Sequence, residues 1–310
     1  MTHPLLRLGT RGSPLALIQA NLVRDALLAA HPSLREPGAV EIVPIRTTGD
    51  AVQDRVLSEI GGKGLFTKEI EEGLGKGMLD IAVHSLKDMP TRLPDGLVLA
   101  AYLAREDARD VLVLEGGKSG DIKDLAHGAT VATVALRRRA ILLSRRPDLA
   151  IVPIRGNVDT RLRKLADGVA SGLVLARAGL NRLGRGDVGT PIPVGDMLPA
   201  VGQGAVCIEC RADDDRVLAL LAAINHAETM ICVTTETAML DVLDGSCRTP
   251  IAGHAVLENG DLWLRALVAR PDGSEILTTE RRGSSTDGIA MGRDAGEELR
   301  RRAGTGFYVV

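Results

Sequence analysis

Arginines gather at a few points of this chain where an anionic ligand would need them. Arg11-Gly12-Ser13 stands where a strand gives way to a helix, and free backbone N–H groups at such a junction favour an anion. Leu136-Arg137-Arg138-Arg139 opens another helix. Arg155-Gly156-Asn157 and Arg161 follow a later strand. Guanidinium groups grip carboxylates bidentately. Arginines repeated at strand-to-helix junctions, on both sides of a cleft, therefore suit a ligand with several carboxylates. A solvated charged face is the competing reading of such runs. His84-Ser85-Leu86-Lys87-Asp88 sets a cation beside a carboxylate just after the apolar strand Ile81–Val83. Strand ends in α/β sheets face the ligand crevice; the same two residues also read as a surface ion pair.

Composition narrows the ligand. The 310-residue chain is 45% hydrophobic, ample for a buried core in more than one domain. Its formal net charge of −2 supplies no global field for nucleic acid or anionic lipid. Only seven of the 38 basic residues are lysine, which fits either a nucleotide-composition bias or a carboxylate-rich ligand. Residues 1–12 contain no apolar signal-peptide core, and the apolar runs are too short to span a bilayer. Cys207, Cys210, Cys232 and Cys247 lack disulfide-framework spacing, so a reducing cytoplasm is expected. Gly116-Gly117-Lys118-Ser119 ends like a phosphate-binding loop, but Leu112 stands where the first glycine belongs. Cys207 and Cys210 lie inside a strand pattern and read as small core residues. The six histidines have no metal-ligand spacing, and no metal is expected.

The elements that must position these residues alternate between strand and helix, which favours layered α/β domains. Leu5–Gly9 reads as a strand. Ser13 caps a helix with Pro14 in its first turn. Val40–Arg46 is a strand, 48–64 a mobile glycine-rich loop, Phe66–Leu74 a helix, and Ile81–Ser85 and Leu97–Ala101 strands. In the second block, Val111–Leu114, Thr130–Thr133, Ala150–Ile154 and Leu173–Leu175 read as strands. Helices are expected from about Ala135 to Arg146 and over Val158–Leu165. Residues 184–204 read as a crossover leading to a strand over Ala205–Cys210. The tail reads as a small antiparallel sheet closed by a helix near Thr286–Arg302. The expected division is residues 1–103 with about 200–222, then 104–199, then 223–310.

The motifs resemble one family throughout. Leu8-Gly9-Thr10-Arg11-Gly12-Ser13-Pro14-Leu15-Ala16, Gly61-Gly62-Lys63-Gly64-Leu65-Phe66 and Asp80–Asp88 are similar to segments of porphobilinogen deaminases. So are Arg105-Glu106-Asp107, Leu136-Arg137-Arg138, Arg155-Gly156-Asn157-Val158 and Ala178-Gly179-Leu180. Leu198-Pro199-Ala200-Val201-Gly202-Gln203-Gly204-Ala205 and Gly245-Ser246-Cys247, followed by Pro250-Ile251, complete the series. The likeness runs from about residue 6 to 300 in family order.

The resemblance implies two α/β lobes like those of type II periplasmic binding proteins, plus a small α+β domain. It implies a soluble, monomeric transferase of tetrapyrrole synthesis that condenses four porphobilinogen molecules into hydroxymethylbilane and releases ammonia. Synthesis is primed on a dipyrromethane cofactor held as a thioether, and position makes Cys247 its anchor. A thiol after Gly245-Ser246 in a loop is open to an electrophilic methylene. By resemblance, Lys87, Thr133, Arg137 and Arg138 face the cofactor. Arg11, Ser13, Gln19, Phe66, Arg155, Arg161 and Arg182 face substrate, with the loop around Lys63 and Phe66 as a lid. Asp88 becomes the catalytic carboxylate, stabilising the cationic ring left when ammonia departs and moving the proton lost after C–C bond formation.

The chain departs from its family at two points; at the lesser one, Ala170-Ser171-Gly172 stands before Leu173 where a more polar, aromatic-plus-acid pattern is common. Ala132-Thr133-Val134-Ala135 replaces the usual Gly-Thr-Ser-Ser, so two hydroxyls that would meet cofactor carboxylates are missing. Two alternatives stand beside the enzyme: a non-catalytic descendant that only binds a carboxylated ligand, and a plain solute-binding protein of the same fold.

Overall fold

The computed structural model describes residues 5–51, 66–244 and 249–307. In chain order the elements are β1 (Leu6–Arg11), α1 (Pro14–Ala30), β2 (Val40–Ile45), α2 (Thr48–Ala51), α3 (Lys68–Gly75), β3 (Ile81–Ser85) and β4 (Leu97–Tyr102). There follow β5 (Asp110–Leu114), β6 (Thr130–Ala132), α4 (Leu136–Arg145), β7 (Ala150–Val152), α5 (Val158–Ala166), β8 (Gly172–Ala176), α6 (Arg177–Arg182) and β9 (Thr190–Pro191). The last third contains β10 (Val206–Arg211), α7 (Asp215–Ala222), α8 (Ala227–Val242), β11 (Ile251–Glu258), β12 (Asp261–Ala269), β13 (Ile276–Ser284) and α9 (Gly288–Ala303). Two compact units result: residues 1–105 with 205–230, and 106–204 with 231–310.

The sheet of the first unit has the order β2-β1-β3-β10-β4. β1 runs parallel to β2 and β3, and β10 antiparallel to β3 and β4. One face packs Leu8, Ile81, Val83 and Ile208 against Ala20, Val23 and Leu27 of α1 and Val217 and Leu221 of α7. The other packs Leu79, Ala82 and Leu97 against Ile70 and Leu74 of α3. Helix α1 forms because Ala16, Ala20, Val23 and Leu27 recur at helical spacing, and because Ser13 Oγ accepts from Ala16 N at 3.3 Å.

The second unit repeats the arrangement as β7-β6-β8-β5-β9, with β6 parallel to β7 and β8, and β5 antiparallel to β8 and β9. The expected pair of α/β lobes is therefore present. In the same unit β11-β12-β13 form an antiparallel sheet. Leu262, Leu264 and Val268 of this sheet join Met239 of α8 and Ala295 and Leu299 of α9 in one core. The two helices approach closely at Gly292, where an added Cβ would lie 2.2 Å from the Thr235 carbonyl oxygen. On the sheet's other face Trp263 lies between two guanidinium groups, Arg265 at 4.2 Å and Arg282 at 4.1 Å, and its Nε1 donates to Glu280.

Two local expectations need correction, and one element had no expectation. The segment from residue 48 begins with the helical turn α2, and the rest of the expected loop, 52–65, lies outside the described residues. The stretch Ala178-Gly179-Leu180 belongs to the helix α6, six residues long and too short to show a 3.6-residue period. The crossover contains β9, which exists only through pairing with β5.

Candidate functional site

In the first unit the candidate residues gather at the carboxyl ends of β1 and β3. Arg11 closes β1, with its guanidinium 4.1 Å from the centroid of Phe66. Ser13 serves as the cap of α1. Gln19 is buried, and its Nε2 lies 2.9 Å from Ser85 Oγ, so it holds the last residue of β3. Beyond Ser85 the chain makes one 3₁₀ turn, Leu86–Asp88, anchored by Leu86 in the core. Lys87 is half-buried and Asp88 is exposed. The Asp88 carboxylate makes no hydrogen bond or ion pair among the described residues, which removes the surface-pair reading.

Beneath this turn lies a pair that the sequence did not reveal. His84 Nε2 is 3.1 Å from Glu209 Oε2, both side chains are buried, and Glu209 Oε1 has no hydrogen-bond partner among the described residues. The two residues sit diagonally across β3 and β10, where His84 is opposite Cys207. Cys207 and Cys210 are free and buried, as expected of core residues; burial, aided by Glu209 and Asp88, pushes the Cys207 thiol well up. That thiol is no nucleophile.

In the second unit the candidate arginines follow β6 and β7 and close α6. Thr133 is buried, and its Oγ1 accepts from Ala135 N at 3.2 Å. Ala135 caps α4 with no side-chain hydrogen bond, and Val134 is exposed. Arg155 is half-buried, and its guanidinium has no partner among the described residues. It precedes Gly156, which has a φ of +112° and where an added Cβ would lie 2.6 Å from Thr160 Cγ2, so a side chain is disfavoured. Arg161 Nε donates to the Gly156 carbonyl at 2.8 Å, and Asn157 caps α5 through Thr160 N. Arg182 Nη2 donates to the Gly204 carbonyl at 2.7 Å. Burial lowers the pKa of Arg182, opposed by Glu106.

Arg137 and Arg138 are not the solvated face that such a run suggests. Both are buried, 5% and 6% exposed, and both reach Asp110 at the head of β5. Burial alone would raise the Asp110 carboxyl. The charges of Arg137 and Arg138, with hydrogen bonds from Arg137 and Gln203, outweigh it and hold that carboxyl far below the usual range. Sequence reading missed Asp110. Its only signal is a charged residue heading the apolar run Val111–Leu114. Cys247 and Lys63 lie outside the described residues. Among the described residues no His, Cys, Asp and Glu cluster could hold a metal, and no single helix is long and apolar enough to cross a membrane.

Fold and site define a class: an α/β protein that presents guanidinium groups at the carboxyl ends of its strands, as a carboxylated ligand requires. The comparisons supply the particular family. Residues 6–219 match "Porphobilinogen deaminase, dipyromethane cofactor binding domain", and residues 230–301 match the porphobilinogen deaminase C-terminal domain. The chain belongs to the porphobilinogen deaminase family. It is 52% identical to the porphobilinogen deaminase of Nitrobacter winogradskyi over 100% of this chain and 97% of that one. Against the Paracoccus denitrificans enzyme the identity is 54%, covering 98% and 96%. Against the chloroplastic enzyme of Pisum sativum it is 51%, covering 98% and 83%. Among solved structures, the periplasmic VFT2 domain of Bordetella pertussis BvgS has a TM-score of 0.40 at 17% identity, covering 72% of this chain and 87% of that one.

Proposed function

We infer that this chain is a transferase that deaminates porphobilinogen and joins four molecules head to tail into hydroxymethylbilane, with Asp88 as the catalytic carboxylate. The observation that carries the role of Asp88 is that its carboxylate has no hydrogen-bond or ion-pair partner among the described residues. A carboxylate already committed to an arginine has little left for a charge that develops during reaction. Among the described residues Asp88 is uncommitted, and it is exposed at the end of a strand that Gln19 and Leu86 hold in place. Loss of ammonia leaves positive charge on the substrate ring, shared by its pyrrole nitrogen, and Asp88 stabilises that charge. It then accepts the proton released once the new C–C bond has formed.

Cys247 would hold the dipyrromethane group, which when bound would supply the pyrrole carbon on which the chain grows. Two features fit such an anionic group at the start of α4. Arg137, Arg138 and Asp110 together carry one surplus positive charge. The first N–H groups of a helix also have no intrahelical acceptor. On this reading Lys87, Thr133, Arg137 and Arg138 belong to the cofactor side. Arg11, Phe66, Arg155, Arg161 and Arg182 hold substrate carboxylates and rings, while Ser13 and Gln19 act by fixing α1 and β3. Each charge-assisted hydrogen bond contributes about 1.5–3 kcal/mol, and several are needed to retain a growing chain.

We read residues 223–310 as a domain of its own, supported by the separate core under β11–β13. We also read the protein as a monomer, and as one of the reducing cytoplasm, the second reading being supported by the free, buried thiols of Cys207 and Cys210. The central test is Asp88→Asn. Turnover should fall by about 10²–10³, the effect of losing one such electrostatic contact, with an unchanged melting temperature because no contact is lost. Turnover within threefold of the parent would exclude the role.

A further inference from the structure

We propose that His84 and Glu209 are positioning residues: their buried contact fixes the end of β3 from which the turn to Asp88 departs, a role that rests on the assignment of Asp88 as the catalytic carboxylate.

Three successive residues lead into Lys87-Asp88, and each is tied differently. Ser85 Oγ is held by Gln19 of α1, on the sheet face that carries Ile81 and Val83. Leu86 N donates to the Ala205 carbonyl at 3.0 Å, just before β10. His84 is tied on the opposite face. Side chains alternate along a strand, so His84 shares its face with Ala82. Glu209 is paired with Ala82 in the β3–β10 ladder and shares that face too. There Leu79, Ala82 and Leu97 pack against Ile70 and Leu74 of α3. His84 Nε2 lies 3.1 Å from Glu209 Oε2, with side chains 4% and 0% exposed. The chain entering the turn is thus gripped from both faces of the sheet.

Stability does not account for this pair. A buried ion pair often does no better than apolar residues of similar volume, and this one is incompletely satisfied. Glu209 Oε1 has no hydrogen-bond partner among the described residues, and neither has Glu71 Oε1 of α3. Burial, with the charge of Glu209, raises the Glu71 carboxyl, so Glu71 stands within reach of the same pair. Buried polar atoms left unpaired cost stability. Phenylalanine and leucine would fill the space without that cost, but apolar contact has no direction. The imidazole–carboxylate contact has one, and it ties β3 to β10 one residue before Ser85. The fields of Glu209 and Asp88 both reach the Cys207 thiol, so the pair and the turn are neighbours. A displacement of about 1 Å at reacting groups costs about a hundredfold in rate, which makes a fixed strand end worth an imperfect core.

The test measures kcat and KM for porphobilinogen, with melting temperature, in full-length protein. His84→Phe leaves Glu209 buried without its partner and should lower the melting temperature by roughly 5–10 °C. His84→Phe with Glu209→Leu replaces both partners by apolar groups, so the melting temperature should return to within about 3 °C of the parent. A merely structural pair would then be fully replaced. A positioning pair would not: in that double variant kcat should stay roughly ten- to a hundredfold below the parent, with KM changed less than about threefold. Glu209→Gln keeps a carbonyl oxygen for His84 and should hold kcat within about threefold of the parent. Because the pair acts through Asp88, the double variant should cost less than about threefold when Asp88→Asn is already present. Parental kcat in the double variant, or the same fold loss with and without the Asp88 carboxylate, would overturn the proposal. A parent without turnover, or one whose turnover Asp88→Asn leaves unchanged, would sink the reading of Asp88 and the positioning role with it.

Discussion

Restoring the two hydroxyls missing at the start of α4 should improve cofactor loading by an amount that can be worked out in advance. Val134 is 44% exposed, and Ala135 is the N-cap of α4 without a side-chain hydrogen bond. In Val134→Ser, Ala135→Ser the second serine gains a cap, worth about 1 kcal/mol, or about 2 °C in melting temperature for a chain of this size. For the ligand, a hydrogen bond to a charged carboxylate is worth about 1.5–3 kcal/mol at most. Two discounts apply. The hydroxyl of residue 134 must leave water to reach the ligand, and the first N–H groups of α4 already offer donors. About 1–2 kcal/mol remains for the pair, a gain of roughly five- to thirty-fold. The assay is the rate and extent of mass gain when folded apoprotein meets porphobilinogen, well below its melting point. The single changes separate the causes: Ala135→Ser should raise both loading and melting temperature, and Val134→Ser loading alone. A higher melting temperature with loading unchanged within twofold would show that backbone amides already satisfy the carboxylates, and would refute the reasoning.

Two further outcomes are expected. Purified protein should be heavier than its sequence by two porphobilinogen-derived units and Cys247→Ala should not; an equal mass in both would move the anchor elsewhere. Glu298 is held at about 2 by hydrogen bonds from Arg281, Thr279 and Arg302, so it contributes stability above the ordinary glutamate range that disappears as pH falls from about 4.5 toward 2. Glu298→Gln should therefore cost below about 1 kcal/mol at pH 7, because the site is open to solvent. In urea titrations that deficit should shrink steadily below pH 4.5, and a deficit independent of pH would remove the charge from the explanation.

Much of the fold was legible because it repeats local signals. Ser13-Pro14 marks the start of α1, and the apolar run at Ile81–Val83 marks β3. The turn carrying Lys87 and Asp88 was legible for the same reason, since it directly follows its strand. The state of Arg137 and Arg138 was not. Adjacent arginines at a helix start look solvated, and their burial depends on Asp110, which is 27 and 28 residues away and arrives only because β5 lies in the same sheet as β6. The His84–Glu209 contact, 125 residues apart, likewise exists only through the pairing of β3 with β10. Local periodicity has no access to such partners.

Trp263 is the only tryptophan of the chain. Its indole is clasped by Arg265 of its own strand and Arg282 of β13, and its nitrogen is bonded to Glu280 of β13. Separation of β12 from β13 dissolves most of that environment at once. Intrinsic emission excited at the indole band is therefore a single-site optical reporter of one sheet, whereas far-ultraviolet circular dichroism sums the whole backbone. Denaturation followed by both signals shows directly whether that sheet melts with the rest of the chain: coincident curves mean one cooperative transition, and separated curves mean that the small sheet and the larger α/β units come apart in stages.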